Sequence, residues 1–418
     1  MHAPRALSLT ALAASTAIAT LALFMGASVA SLQAQSTERA SHSISPAAWT
    51  AFTRAFDTQT DSEGIVGGAV RFVCDGRSLA HHEHGFADRA RGVPVTERTI
   101  FHFASITKTL TAISIMQLRD RGRLTLDDRV TSYIPELRMV HDPYGSMDSV
   151  TIRMLMSHAA GFQNPTWPWT RGEDWEPFEP TTWNQLVAML PYEKLLFKPG
   201  TRFSYSNPGF IYLGRIIEQL SGDPWETYIQ KNIFSPLGLA RSYFGATPYY
   251  LAADRSHRYY VLRDSASGRD TLVDEGADFN PGITIPNGGW NAPLTDVETY
   301  LAFLTNAARG DTALQHRYDV VLPHTDLEEM WTPRYPTGPD AGPNAEEWMG
   351  MSFFTLKQHD GATFVGHTGD QGGYTSFMYL NPKNQCGVTA VFNTQNLISR
   401  RNGTAFNTIR EAALRLIE

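Results

Sequence analysis

Residues 101–118 read FHFASITKTLTAISIMQL. A serine, Ser105, stands three residues before a lysine, Lys108, at the head of a run with apolar residues at helical spacing. One reading is local: serine is a common N-cap, and a first-turn lysine is ordinarily solvated. The other is chemical. Residues i and i+3 share a helix face, so Ser105 and Lys108 point the same way. They do so where free backbone N–H groups gather and the helix dipole favours negative charge. A serine attacking a carbonyl needs a base for its proton and donors for the oxyanion. Lysine can be that base only if burial or a second cation lowers its pKa from about 10.4. The chain has only six lysines, and Ser105–Lys108 is its single Ser-x-x-Lys.

Two further stretches bear on the choice. FSYSNPGF places Tyr205 and Asn207 just before a predicted helix. A tyrosine beside a lysine ammonium gives up its proton more readily and can relay protons. Tyr379 and Asn381 fit the same Tyr-x-Asn pattern at a predicted strand end. VGHTGDQGGYTSF reads as a strand ending at His367, Thr368 and Gly369, then a glycine-rich turn. Gly369 would let another backbone approach closely, with the Asp370 N–H free to face a carbonyl oxygen. An exposed histidine at a hairpin turn is the plain alternative.

The chain outside these motifs has 418 residues, 42% hydrophobic and 18% charged, a globular composition. Net charge is −7 with no basic block, which gives nucleic acid nothing to hold. Residues 1–30 read as a signal peptide: Arg5, an apolar run, then Ser28 and Ala30 before a cut. An uncleaved anchor is the competing reading; after cleavage no stable membrane insertion is expected. Residues 31–44 are polar and small, a flexible segment. SPAAWTAFTRAFDTQ is a predicted helix capped by Ser45, and IVGGAVRFVCDGRSLAHHEHGFAD two strands around Asp75-Gly76. Helices and long loops fill the middle. TIRMLMSHAAGF ends one helix with His158 in its last turn and Gly161 as the stop, and LTDVETYLAFLTNAA is another, capped by Thr295. Beyond about residue 348 strands return, and a helix from about Thr404 closes the chain. With strands at both ends, the simplest fold is one α+β domain over 45–418. Its α/β part comprises about 45–104 and 348–418, with a mostly helical part, about 105–347, inserted. Two cysteines, Cys74 and Cys386, are either a bridge formed in an oxidising compartment or two buried thiols.

Taken together, Ser-x-x-Lys heading a helix, Tyr-x-Asn about a hundred residues on, and a His-Thr-Gly strand near the C-terminus resemble the serine beta-lactamase and penicillin-binding protein superfamily. The resemblance is to the class C-like branch, with its beta-lactamase-related hydrolases, family VIII esterases and D-aminopeptidases. FHFASITKTLTAISIMQLRDRGRLTLDDRVTSYIPEL, FKPGTRFSYSNPGFIYLGRIIEQLSG and FVGHTGDQGGYTSFMYLNP carry it, and it covers about residues 48–415. It implies an antiparallel sheet of five or more strands flanked by helices. Ser105 would be the acylated nucleophile, Lys108 and Tyr205 its proton-handling partners, and Asn207 an orienting group. His367, Thr368, Gly369 and Asp370 would line the substrate, with the N–H groups of Ser105 and Asp370 as the oxyanion hole. In the family's sheet the strands of Cys74 and Cys386 are antiparallel neighbours, which makes a bridge reasonable.

The implied function is an exported, periplasmic or secreted serine hydrolase acting on esters or small peptides and amides. A D-alanyl-D-alanine carboxypeptidase, a beta-lactamase, or a sensor that is acylated without turnover are the alternatives. No metal or organic cofactor is implied; the partner is a small-molecule or peptide substrate, and oligomeric state is left open. One position departs from class C beta-lactamases: they carry lysine where this chain has His367, which would hold a substrate carboxylate only when protonated. His82 and His84 share a strand face, but two ligands are too few for a metal site without others nearby. Trp167, Trp169 and Trp175 lie in a Trp- and Pro-rich stretch read as a substrate-side loop.

Overall fold

A computed structural model describes residues 42–162, 180–264, 267–308, 310–338, 345–398 and 404–418. The three tryptophans of the proposed substrate-side loop lie outside the described residues. The strands, in chain order, are β1 (Gly67–Cys74), β2 (Arg77–Asp88), β3 (Val93–Pro94), β4 (Ile100–His102), β5 (Tyr259–Arg263), β6 (Asp270–Asp274), β7 (Asn291–Pro293), β8 (Tyr335–Pro336), β9 (Ala345–Met349), β10 (Phe354–Gln358), β11 (Thr363–Gln371), β12 (Tyr374–Asn381), β13 (Cys386–Phe392) and β14 (Thr394–Asn396). Nine of them form one sheet in the order β3-β2-β1-β13-β12-β11-β10-β9-β8. The pairings are antiparallel, and the two ends of the chain meet where β1 lies beside β13.

Local chemistry explains the hairpins. Asp75 and Gly76 both take positive φ (50° and 67°), the two-residue turn that matches strand twist. Gly372 and Gly373 do the same (60° and 88°) between β11 and β12. That turn moves a boundary: β11 does not stop at Gly369 but stays paired to Gln371, opposite Tyr374. His367, Thr368 and Gly369 are therefore interior strand residues. The mostly helical middle of the chain also carries short strands. YYVLR and DTLVD pair as β5 and β6, and β14 adds alongside β5.

Two layers of helix cover the sheet. On one face lie α1 (Pro46–Ser62) and the C-terminal helix Thr404–Leu416. Ser45 caps α1 as expected, its hydroxyl accepting the Ala48 N–H at 3.2 Å. Phe52 and Phe56 pack there on Val70, Phe72, Val388 and Phe392. Alternate residues of β1, Ala69 and Val73, face the other way, into a larger core built on α2 (Thr107–Asp120), α3 (Ile152–Met156), α4 (Trp183–Met189) and α5 (Asn207–Ser221). The helix Leu294–Leu304 starts after Pro293, and Thr295 lies inside it without capping. Cys74 and Cys386 are directly opposite in the β1–β13 register and joined by a disulfide. No helix among the described residues is long and apolar enough to cross a membrane.

Candidate active site

The quoted stretch is a strand, a tight turn and a helix. β4 ends at His102, a 3-10 turn spans Ala104–Ile106, and α2 follows. Ala104 is held at φ 48°, a conformation that costs a residue with a Cβ. From Phe101 to Leu118 every residue is buried except Ser105, which is part-exposed. The turn thus presents one hydroxyl from an otherwise closed core. Thr107 fixes it by donating to the Ala104 carbonyl at 2.6 Å and accepting the Trp290 N–H at 2.9 Å.

Lys108 is fully buried, contrary to a solvated first-turn lysine. Its Nζ lies 2.9 Å from Ser105 Oγ and donates to the Asn287 carbonyl at 2.7 Å. It also stands 5.0 Å above the Tyr205 ring and 5.7 Å from that of Phe210. Burial pushes its pKa well below the ordinary lysine value. Tyr205 hydrogen-bonds Ser105 through its hydroxyl, and burial raises its phenol rather than lowering it. A protonated phenol beside a poorly protonated amine thus replaces the expected ammonium-assisted tyrosinate. Asn207 opens α5, one residue after its N-cap Ser206. The rival pair is elsewhere: Tyr379 packs in the α1-side core, and Asn381 holds the β12–β13 turn by accepting the Lys383 N–H.

His158 was read as part of a helix end. It lies two residues beyond α3, at φ 52°, fully buried. Its carbonyl accepts the Ser204 N–H at 2.8 Å and its Nδ1 accepts the Ser206 N–H at 2.9 Å, so it clamps the residues on both sides of Tyr205. Its ring stacks on Tyr205 at 4.2 Å. Burial and the Lys108 charge keep its pKa well below the histidine value.

β11 closes the site. β10 pairs only with residues 363–366 of β11, which leaves the edge beyond them without a strand partner on that side among the described residues. The Ser105 turn sits against this edge. A Cβ on Gly369 would meet the Phe103 carbonyl oxygen at 2.2 Å, and Ser376 Oγ donates to the same oxygen at 3.1 Å. Gly369 is therefore needed for close approach, as the sequence indicated. Thr368 and Asp370 follow on the strand, and Gln395 Nε2 donates to Asp370 Oδ1.

His367 differs from the expected switchable cation. It is 1% exposed, between the rings of Phe354 (5.1 Å) and Tyr205 (6.1 Å). Its Nδ1–H donates to the Thr368 carbonyl, which leaves Nε2 as a buried lone pair without a partner among the described residues. Burial and the Lys108 charge push its pKa down to about 3. It stays neutral at any ordinary pH. Beside Tyr205 opens a cleft of about 410 Å³ lined by Arg202, Phe203, Ser204, Thr337, Glu347 and Phe354. Sequence reasoning missed His158, this cleft and Asn287; the one signal for Asn287 was the irregular, proline- and glycine-rich TIPNGGWN.

The family model described as Beta-lactamase matches residues 52–412. Protein flp of Staphylococcus aureus (strain MW2) is 26% identical over 329 residues, 79% of this chain and 60% of that protein. The chain thus spans about three-fifths of the length of these curated relatives. Penicillin-binding protein 4* of Bacillus subtilis (strain 168) is 32% identical over 174 residues, 41% of this chain and 36% of that protein. Among solved structures, the octameric penicillin-binding protein homologue from Pyrococcus abyssi superimposes with a TM-score of 0.71 at 26% identity, over 88% of this chain and 77% of that one. A D-stereospecific amidohydrolase from Streptomyces sp. shares the fold, with a TM-score of 0.64 at 24% identity over 82% of this chain and 94% of that one. The chain belongs to the beta-lactamase family.

Proposed function

We propose that this beta-lactamase-family chain is an exported serine hydrolase, acting through a Ser105 acyl-enzyme on esters or small peptides and amides. One observation carries the reading: a buried amine with a lowered pKa lies 2.9 Å from the part-exposed hydroxyl that the turn presents. Ser105 Oγ attacks the substrate carbonyl carbon. Its proton passes to the Lys108 amine, directly or through the Tyr205 hydroxyl. Charge gathers on the carbonyl oxygen, where the N–H groups of Ser105 and Asp370 would meet it. Collapse breaks the bond to the leaving group, which takes a proton back through Tyr205. Water, deprotonated by the same pair, then releases the acid and frees Ser105. The base is better assigned to Lys108 than to Tyr205, because burial disfavours both ammonium and phenolate and leaves the amine able to accept a proton.

The neutral His367 favours substrates without a carboxylate beside the reactive carbonyl, hence esters over beta-lactams. A peptidase reading draws on Arg202, a cation on the wall of the cleft beside Tyr205. A fluorophosphonate probe followed by a substrate panel tests both. Labelling lost in Ser105→Ala, with short-chain aryl esters turned over faster than a chromogenic cephalosporin, is expected. A cephalosporin with higher kcat/KM than every ester and D-peptide tried makes the lactamase reading correct instead. Labelling without any turnover makes it a sensor.

A further inference from the structure

β2 carries His82 and His84 two residues apart, so they share a face. It is the α1 face: His82 is registered opposite Val70, which packs under α1. α1 brings Asp57 and Asp61, one turn apart, to the same place. Asp57 Oδ1 lies 2.6 Å from His82 Nε2 and 2.9 Å from His84 Nδ1. On the far side of the His84 ring, Nε2 lies 2.9 Å from Asp61 Oδ1. The sequence offered two ligands; the fold brings two carboxylates to them.

We propose that His82, His84 and Asp57 form a binding site for a divalent transition cation of the zinc class. His82 Nε2, His84 Nδ1 and the Asp57 carboxylate would be ligands, with water completing the shell. The three donor atoms lie within 4.8 Å of one another. Two imidazoles and one carboxylate suit zinc, whereas calcium and magnesium take oxygen ligands. Around a tetrahedral ion with bonds of about 2.0–2.1 Å, ligand atoms stand roughly 3.3 Å apart. Asp57 need therefore withdraw only by a fraction of an ångström, and its side chain is 40% exposed and free to do so.

Two further features favour a cation over simple ion pairs. His84 Nε2 hydrogen-bonds Asp61 Oδ1, whereas its Nδ1 stands 2.9 Å from Asp57 Oδ1 without making a hydrogen bond. A ring with its one proton on Nε2 leaves the Nδ1 lone pair available to an ion. With the metal on Nδ1, the Nε2–H donates to Asp61, the outer carboxylate that metal-bound histidines ordinarily have. The His82 ring is also oriented in advance, edge-on to Phe56 at 5.5 Å. The ion would clamp α1 to β2, on the sheet face away from the α2 core and Ser105, and so act on stability rather than turnover.

The test uses the full chain without an affinity tag, stripped with EDTA and titrated with zinc chloride at pH 7.5. Calorimetry should show one ion bound at micromolar or tighter affinity, and the melting temperature should rise with zinc. His82→Ala and His84→Ala should abolish the binding. Asp61→Asn, an isosteric change on an exposed side chain, should weaken it by about 10-fold or more, as loss of an outer-shell partner does. Circular dichroism checks that each variant is folded. Binding only at millimolar zinc, or binding unchanged in folded His84→Ala or Asp61→Asn, overturns the proposal and leaves the cluster as ion pairs.

Discussion

The two faces of the large sheet are built on opposite terms. Under α1 the core is a stack of rings: Phe52 meets Phe72 edge-on at 5.2 Å, and Phe56 stacks on Phe392 at 5.4 Å. A disulfide closes that face's chain ends. On the α2 face, around Ser105, the backbone is strained at Ala104 and His158, and Lys108, His158 and His367 are buried polar groups. His158 Nε2, His367 Nε2 and Asn287 Oδ1 have no hydrogen-bond partner among the described residues. Such features cost stability and cluster where chemistry is done. One face holds the fold together, and the other is held in place by it. Substitutions should therefore separate rate from stability according to the face they touch.

The largest effect falls on the strained face. Ser105→Ala should abolish acylation, since no other group occupies its position. Lys108→Ala and Tyr205→Phe should each lower kcat/KM by about 10² or more. Melting temperature should hold or rise, because a buried amine is removed from a place that disfavours its charge. Kinetics and thermal melts on the same samples decide; a Lys108→Ala variant that melts early would show that this face also carries the fold.

The next effect belongs to the other face. Replacing Cys74 and Cys386 together with alanine should cost roughly 2–5 kcal/mol, since the bridge spans 312 residues of chain. Turnover at low temperature should not change. Denaturant unfolding measured beside kcat is the check, and a matching fall in kcat would break the distinction between the faces.

The α1 face was more legible in the sequence than the site. Ser45 and the Asp75-Gly76 turn are local signals, and the structure follows them. Ser105, Lys108, Tyr205 and Gly369 were legible because each belongs to a short motif. What failed depended on distant packing. His367 looked titratable because its own stretch ends in polar and glycine residues, yet Phe354 and Tyr205 enclose it. His158 looked like a helix end, because the residues it clamps are 46 and 48 positions further on. The strands β5 and β6 are short runs, YYVLR and DTLVD, without an alternating pattern, and their pairing within the mostly helical part was not announced locally.

Not every buried polar group on the helical side serves the site. Glu193 is 3% exposed, accepts among the described residues only the Tyr212 hydroxyl (3.1 Å) at Oε2, and is pushed up to about 7 by burial. Folded protein therefore keeps its proton from about pH 4.5 to 7, where the unfolded chain has lost it. The stability it supports is complete below about pH 4.5 and falls as pH rises through 7. Glu193→Gln keeps the neutral shape at every pH. It should match wild type near pH 4.5 and be more stable at pH 8 by roughly 3 kcal/mol, the order that the shift sets. Urea titrations of both proteins at the two pH values measure this. The buried His102, lowered to about 4, loses stability in the opposite direction as pH falls below about 6.5, but that loss is common to both proteins and cancels in the difference.

The smallest expected effect is a null one, at His367. Were this residue the switchable cation that its sequence suggests, acid would recruit it to a substrate carboxylate. The ratio of cephalosporin to ester kcat/KM would then climb as pH falls through about 6.5. In the structure its folded pKa lies near 3, its Nδ1–H is committed to Thr368, and its free lone pair repels an anion. Protonation of the Lys108–Tyr205 pair slows both substrates alike and drops out of the ratio. A carboxylate such as Asp370 could still tilt it, so the comparison needs His367→Asn, which removes the imidazole and leaves those groups in place. Between pH 6 and 8 the ratio profiles of wild type and His367→Asn should superimpose, whatever their absolute rates. A rise towards acid in the wild type that is absent from His367→Asn would show that His367 does take a proton. It would also make this buried face more polar, and more open to water, than its packing indicates.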